Sequence, residues 1–422
     1  MKKIHVFTSL ALNYLPKARA LFYSLREQHP EFCLHLALVD EDRGLIDIEH
    51  EPFDTVIPIT SLDIPNWRGW AFCHGIVELA TAIKPYVLQK LLKREDCSKV
   101  LYFDPDIVVF SRLDDILALL DVMSIVLTPH QTTPEVTLEA VMDNEICSLR
   151  QGVYNLGFIG VSASAEGRRF ADWWSKRLYH FCRVQVSQGL FTDQRWIDLV
   201  PALFTGVGII KSPRHNVATW NLTTRKLTGS LADGFQVDGQ RLGFYHFTGL
   251  DKGDHEYMAT KVMGNNESLK DLIKWYSNQT IRISNDPLYR VNWAFGHFST
   301  GEPISIAQRL VYRERPDLQS MFKDPFDNSR EESYLKWWLQ KGKLQYPDLF
   351  NPKTVESSIE QLGRFLTPGF LTNPESYDWR TVLQHLTAGL SAPRYGVALI
   401  KRGLNVFRRE GIAGLLNRFK RY

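Results

Sequence analysis

Apolar positions along the first 250 residues follow two alternating spacings. Runs of consecutive apolar residues predict buried strands at Lys3–Thr8, Cys33–Val39, Thr55–Ile59, Val100–Phe110, Ser124–Leu127, Gly152–Val161 and Arg241–Phe247. Between them the spacing turns helical. Tyr14–Gln28 sets Leu15, Ala18, Leu21, Phe22 and Leu25 on one face, and Ile76–Leu92 does the same with Leu79, Ile83, Val87, Leu88 and Leu91. Pro85 disfavours helical dihedrals at Lys84 inside that stretch. Asp114–Leu120, Glu135–Leu149 and Phe170–Phe181 predict further helices, and Thr192 or Asp193 suits the N-cap of a short helix that follows. Apolar strands alternating with amphipathic helices imply an α/β fold, a largely parallel sheet covered on both faces.

From about Asp254 the alternation stops. Leu269–Trp275, Ile304–Arg315, Tyr334–Gln340, Val355–Phe365 and Trp379–Leu390 predict helices separated by Pro- and Asp-rich joints. The expected organisation is an α/β domain over 1–253, a helical extension over 254–400, and a tail over 401–422. The extension's aromatics, Trp275, Trp293 and Trp337-Trp338, are expected to pack as core rather than line a ligand groove, and Trp173-Trp174 likewise.

Composition narrows the partners. The 422 residues are 44% hydrophobic and 23% charged, as in ordinary globular proteins, with a net charge of +3. That charge is uneven: residues 401–422 hold seven basic side chains against Glu410 alone. The body is therefore not basic, which argues against nucleic acid. In the tail, Leu404, Phe407, Ile412, Leu415, Leu416 and Phe419 recur at helical spacing among arginines and lysines. This suits a helix lying on an anionic membrane face, and equally a solvated tail that Gly403, Gly411 and Gly414 keep from helix.

Charged residues interrupt every apolar run before it reaches membrane-spanning length. The start superficially resembles a secretory signal, but His5, Asn13, Lys17 and Arg19 spoil it, and it parses as strand, loop and helix. Five scattered cysteines without C-x-x-C spacing argue against a disulfide framework or a zinc site. The expected home is the cytoplasm, at most peripheral on the inner membrane face. The N-x-S/T triplets at Asn221, Asn266 and Asn278 then carry no glycosylation meaning.

The candidate chemistry centres on Tyr102-Phe103-Asp104-Pro105-Asp106-Ile107-Val108. In extended chain, residues two apart point the same way, so Asp104 and Asp106 can converge on one hard cation, Mg²⁺ or Mn²⁺, able to hold a diphosphate. A plain Asp-Pro turn is the alternative. The loop after the first strand, Ser9 to Asn13, lacks glycine and cannot cradle a pyrophosphate by its backbone. Downstream, Asn155 precedes Gly157, where backbone can approach a ligand, Gln194 follows Asp193, and His246 ends a strand ahead of Gly249 and Lys252.

Four pieces in order, Tyr102 to Val108, Tyr154-Asn155-Leu156-Gly157, Asp193-Gln194, and His246-Phe247-Thr248-Gly249-Leu250-Asp251-Lys252, resemble glycosyltransferase family 8 over about the first 250 residues. That group holds glycogenin and bacterial lipopolysaccharide galactosyltransferases on the GT-A fold. The wording is closer to enzymes encoded with bacterial surface-polysaccharide genes. The resemblance implies a nucleotide-diphosphate-sugar donor, UDP-linked in particular, and a saccharide or lipid-linked acceptor. Asp104, Asp106 and His246 would ligate Mn²⁺ or Mg²⁺, while Lys252 and Gly249 meet the diphosphate. Asn155 and Gly157 would lie beside the donor sugar, Gln194 near the anomeric carbon, and Asp193 on a sugar hydroxyl. Lys84 and Phe103 would contact the donor, and Thr8, Asn13 and Tyr14 the base. One departure stands out: Gly253-Asp254 follows the lysine where the family commonly has Pro-Trp. The resemblance further implies retention of anomeric configuration by front-face substitution. Two rivals remain at this point. The D-x-D-x-V pattern also fits a haloacid-dehalogenase-type phosphatase with Asp104 as nucleophile, and a sugar-binding protein without turnover would share most of these residues.

Overall fold

The structure is a computed structural model that describes residues 2–249, 258–261 and 266–364. Met1–Ile359 form one compact unit, and Glu360–Tyr422 a second that lies almost wholly outside the described residues, as do Lys252, the predicted helix Trp379–Leu390 and the basic tail.

Seven strands build the central sheet of the first unit: β1 (Lys3–Leu10), β2 (Cys33–Leu38), β3 (Thr55–Pro58), β4 (Cys97–Phe103), β6 (Ile125–Pro129), β7 (Tyr154–Ser162) and β10 (Val207–Ile209). Their order is β10-β6-β7-β4-β1-β2-β3. Only β7 runs against its neighbours, pairing antiparallel with both β4 and β6. The expected mostly parallel sheet is thus present, and helices cover both faces. On one, Leu21, Phe22 and Leu25 of α1 (Leu15–Gln28) join Leu34, Leu36, Leu101 and Phe158 in a fully buried cluster. On the other, α4 (Lys84–Leu92) is tied to the helix Ala165–Phe181 by Tyr86 Oη donating to Ser175 O at 3.3 Å and Gln89 Nε2 to Ser175 Oγ at 3.1 Å. Trp174 is fully buried in that layer.

Three sequence expectations change. Ile76–Leu92 is not one helix: α3 (Ile76–Ala82) ends at Ile83 and α4 starts at Lys84. Lys84 is therefore helical, because Pro85 sits in the first turn, where a missing N–H costs nothing. Glu135–Leu149 starts later, at Leu138, and passes through a π-helical turn at Val141–Glu145 before Ile146–Gln151. The apolar run from Val100 to Phe110 is two strands, since β5 (Ile107–Val109) leaves the main sheet to pair antiparallel with β11 (Phe244–His246). Between β5 and β11 in sequence, β8 (Arg183–Gln185) and β9 (Leu190–Thr192) form a short hairpin.

The helical extension packs on this layer structure. Phe72 meets the rings of Phe298, Tyr312, Phe326 and Tyr334 at centroid distances of 5.1–6.0 Å. The buried Arg309 guanidinium donates to the carbonyls of Phe72, His74 and Phe295. Trp337 and Trp338 are buried, Trp293 is half-buried and donates its indole N–H to Val39 O, and Trp275, also half-buried, lies edge-on to Phe110.

Candidate functional site

Asp104 and Asp106 occupy the turn between β4 and β5. Asp104 N donates to Gly157 O at 2.7 Å, Ile107 N closes the turn on Asp104 O at 3.1 Å, and Phe247 N donates to Asp106 O at 2.9 Å. The carboxylates converge because a turn clamped by β7 and the chain after β11 brings them together, not because extended chain does. Asp106 is buried and Asp104 is partly open to solvent.

His246 arrives opposite this turn through the β5–β11 pairing. Its Nε2 lies 3.1 Å from Asp106 Oδ1 and 3.9 Å from Asp104 Oδ2. Burial disfavours the charged imidazolium, but Asp106 and Asp104 outweigh it and raise the His246 pKa. Against its own burial, Asp106 is pulled down to about 2 by His246. Behind the ring, His246 Nδ1 meets Asn155 Oδ1 at 3.2 Å, and Asn155 Nδ2 meets His130 Nε2 at 3.3 Å. A Cβ on Gly157 would stand 2.5 Å from His246 Cε1, so the space this glycine leaves open holds the imidazole.

The second half of the site is a buried charge cluster. Lys84 Nζ lies 3.0 Å from Asp193 Oδ2, 3.4 Å from Asp104 Oδ1, 3.1 Å from Leu156 O and 4.1 Å from the centre of the Tyr102 ring. Tyr102 Oη donates to Asp104. Burial works against the Lys84 ammonium, yet Asp104 and Asp193 hold its pKa well above the ordinary lysine value. For Asp193, burial and the Asp104 charge together win over Lys84 and raise its pKa. Asp193 stands at the N-cap of the short helix Gln194–Ile197 without a capping side-chain bond, so the capping explanation for it does not hold.

Other expected residues fall at varied distances from this centre. Gln194 is buried, its amide spent on Gln151 O at 3.0 Å and Leu156 N at 3.1 Å, which fixes the entry to β7. Thr8 is wholly buried at the carboxyl end of β1, and Asn13 and Tyr14 form the 3₁₀ turn that follows. Alternation along β4 turns the Phe103 ring into the core against Phe158 and Phe244. Gly249 adopts φ +74°, a conformation glycine takes without strain, while Lys252 lies outside the described residues.

Three contributors went unassigned from sequence. Lys17, buried, donates to Tyr14 Oη at 2.8 Å and helps depress Asp106. A lysine on the apolar side of a predicted helix was the available signal. His130 and Trp220 gave none; the indole stands edge-on to both His130 and His246, with centroids 5.4 Å away in each case. Asn221 secures that loop, donating to His130 O and Asn216 O, and is therefore a buried structural residue.

Asp104, Asp106 and His246 are the only group of three such ligands among the described residues, with their ligand atoms within 4.8 Å of one another. Adjacent ligands on an octahedral Mg²⁺-sized ion lie about 3 Å apart, from metal–ligand bonds of about 2.1 Å. The 3.1 Å between His246 Nε2 and Asp106 fits such an edge, and a set of two carboxylates and one imidazole suits Mg²⁺ or Mn²⁺.

No family model matches the chain. The uncharacterized protein YfnD of Bacillus subtilis (strain 168) is 26% identical over 255 residues, spanning 59% of this chain and 79% of its own. Among solved structures, the galactosyltransferase LgtC in complex with donor and acceptor sugar analogues superposes with a TM-score of 0.40 at 18% identity, covering 67% of this chain and 97% of that one. The glycosyltransferase GlyE of Streptococcus pneumoniae TIGR4 gives 0.40 at 14% identity, covering 68% and 63%.

Proposed function

We propose that the protein is a divalent-metal-dependent glycosyltransferase that moves a sugar from a nucleotide-diphosphate donor, UDP-linked by resemblance, to a saccharide or lipid-linked saccharide acceptor in bacterial surface-polysaccharide synthesis. The observation that carries it is the convergence of Asp104, Asp106 and His246 at the carboxyl end of the parallel strands, beside the buried Lys84–Asp193 pair. Open α/β sheets bind their ligands at that edge.

The two carboxylates and His246 would hold Mn²⁺ or Mg²⁺. When bound, the cation supplies charge neutralisation to a leaving diphosphate. The chain's own part is organisation. Lys84 is fixed as an ammonium between Asp104 and Asp193, so both carboxylates keep their places without reorganising as charge develops. Asp193 Oδ2 faces the Lys84 ammonium at 3.0 Å, and no other donor reaches that oxygen among the described residues, so one of its lone pairs stays open. That favours Asp193 as an acceptor for a sugar hydroxyl. Gln194, anchored to backbone at both ends of its amide, would shape the floor beneath the anomeric carbon. Retention by front-face substitution suits this set, since Asp193, the carboxylate outside the Asp104–Asp106–His246 group, is buried and paired with Lys84.

No described helix is long and apolar enough to cross a membrane. A peripheral cytoplasmic placement through residues 401–422 completes the proposal. The direct test is release of nucleoside diphosphate from a set of nucleotide sugars with Mn²⁺. Release from one donor, abolished by Asp106→Asn, supports the reading; turnover of phosphate monoesters with no release from any nucleotide sugar contradicts it.

A further inference from the structure

The backbone at both ends of the His130–Asn155–His246 chain settles which atom carries each proton. Gly157 N–H can only donate, so the Asn155 atom 3.1 Å from it is the oxygen, and that same oxygen faces His246 Nδ1 at 3.2 Å. His246 Nδ1 therefore carries a hydrogen. At the far end, His130 Nδ1 lies 3.2 Å from Val153 O, which can only accept, so a neutral His130 has its hydrogen on Nδ1 and a lone pair on Nε2. That lone pair receives Asn155 Nδ2–H at 3.3 Å. The amide is thus pinned from both sides, and its orientation passes from Val153 O to His246 through two side chains.

We propose that His130 and Asn155 are positioning residues that hold the His246 Nδ1–H on Asn155 Oδ1, so that a divalent cation replacing the proton between Nε2 and Asp106 meets the Nε2 lone pair as its third ligand beside Asp104 and Asp106. This rests on the metal-site reading above and gives Asn155 a task other than contact with the donor sugar. Three further observations agree. Gly157 has no side chain where a Cβ would lie 2.7 Å from both His246 Nδ1 and Asn155 Oδ1. Trp220 closes the flank of both imidazoles edge-on. His130 and Asn155 are both buried, so water does not compete for these bonds. Outer-shell partners of a ligating histidine commonly set its tautomer, and their loss lowers metal affinity by 10- to 100-fold.

Two measurements on the full chain test this. Calorimetric titration with Mn²⁺ compares wild type, His130→Phe, His130→Gln and His246→Ala. A Mn²⁺ affinity weakened about 10- to 100-fold in His130→Phe and largely restored in His130→Gln, whose amide oxygen can accept from Asn155, supports the relay. Wild-type affinity in His130→Phe overturns it while leaving the metal site standing. Absence of Mn²⁺ binding in wild type, or its retention in His246→Ala, overturns the metal-site reading itself. Long-range ¹H–¹⁵N spectra of histidine-labelled wild type saturated with Mg²⁺ need no variant to fold. The Nδ1–H pattern at His246 is the expected result, and an Nε2–H pattern overturns the relay.

Discussion

Lys84 and Asp193 form a buried ion pair, 3.0 Å between Nζ and Oδ2, joining the first turn of α4 to the residue that precedes the helix Gln194–Ile197. Removing one partner of such a pair leaves an uncompensated charge in low dielectric. Lys84→Met is expected to destabilise the fold by about 3–5 kcal/mol in urea unfolding, because both Asp193 and Asp104 lose their counter-ion. Lys84→Met with Asp193→Leu should recover part of that loss. An additive or larger loss in the double variant would mean the two charges do not compensate each other.

Gly157→Ala places a methyl carbon 2.5 Å from the His246 ring and 2.7 Å from Asn155 Oδ1. The imidazole must move, so Mn²⁺ affinity should fall by at least about tenfold, in line with lost outer-shell contacts. Mn²⁺ titration checks this, with far-ultraviolet circular dichroism confirming that the sheet persists. Unchanged affinity would show that His246 is not held where the third ligand is needed.

Two buried histidines contribute to an acid decline of stability; burial also lowers His130 to about 4, which adds to it, and raises Glu314 to about 7, which opposes it. Burial, followed by the charge of Arg313, lowers His74 to about 3, and burial, followed by His5, lowers His35 to about 4. Both folded values lie below the unfolded value near 6.5, so the unfolded chain binds protons first as pH falls. These two histidines therefore contribute no pH dependence above pH 6.5, and each removes about 3 kcal/mol of stability between pH 6.5 and 4 at one pH unit per 1.36 kcal/mol. Urea unfolding at pH 7, 5.5 and 4 measures the decline. His74→Gln, which keeps a donor for Trp70 O, should make the decline about 3 kcal/mol shallower; an unaltered slope contradicts the assignment.

The legible parts of the molecule were those written in local pattern. β1, β2, β3 and α1 appear within two residues of where apolar spacing puts them, and the carboxylate pair stood out as a D-x-D at a strand end. What stayed hidden depends on partners far along the chain. Whether Asp104 and Asp106 converge by extension or by a turn is decided by Gly157 O and Phe247 N, residues that sequence spacing does not bring together. Asn155 sits on the expected strand, but its amide serves His246 and His130 behind the cluster. Lys84 looked like a residue forced out of helix by Pro85. It is instead the first residue of a helix whose start delivers its side chain to two carboxylates.

The most direct test of the account is thermal unfolding of the full chain with UDP, GDP, dTDP, ADP or CMP, each alongside Mn²⁺, Mg²⁺ or EDTA. A ligand at a hundredfold over its dissociation constant adds about 2.7 kcal/mol to stability. The account predicts that one nucleoside diphosphate raises the melting temperature with Mn²⁺ or Mg²⁺, and that neither EDTA nor the Asp106→Asn variant permits the shift. Equal shifts with EDTA, or none with any nucleotide, would contradict the Asp104–Asp106–His246 site as the seat of a metal-held diphosphate.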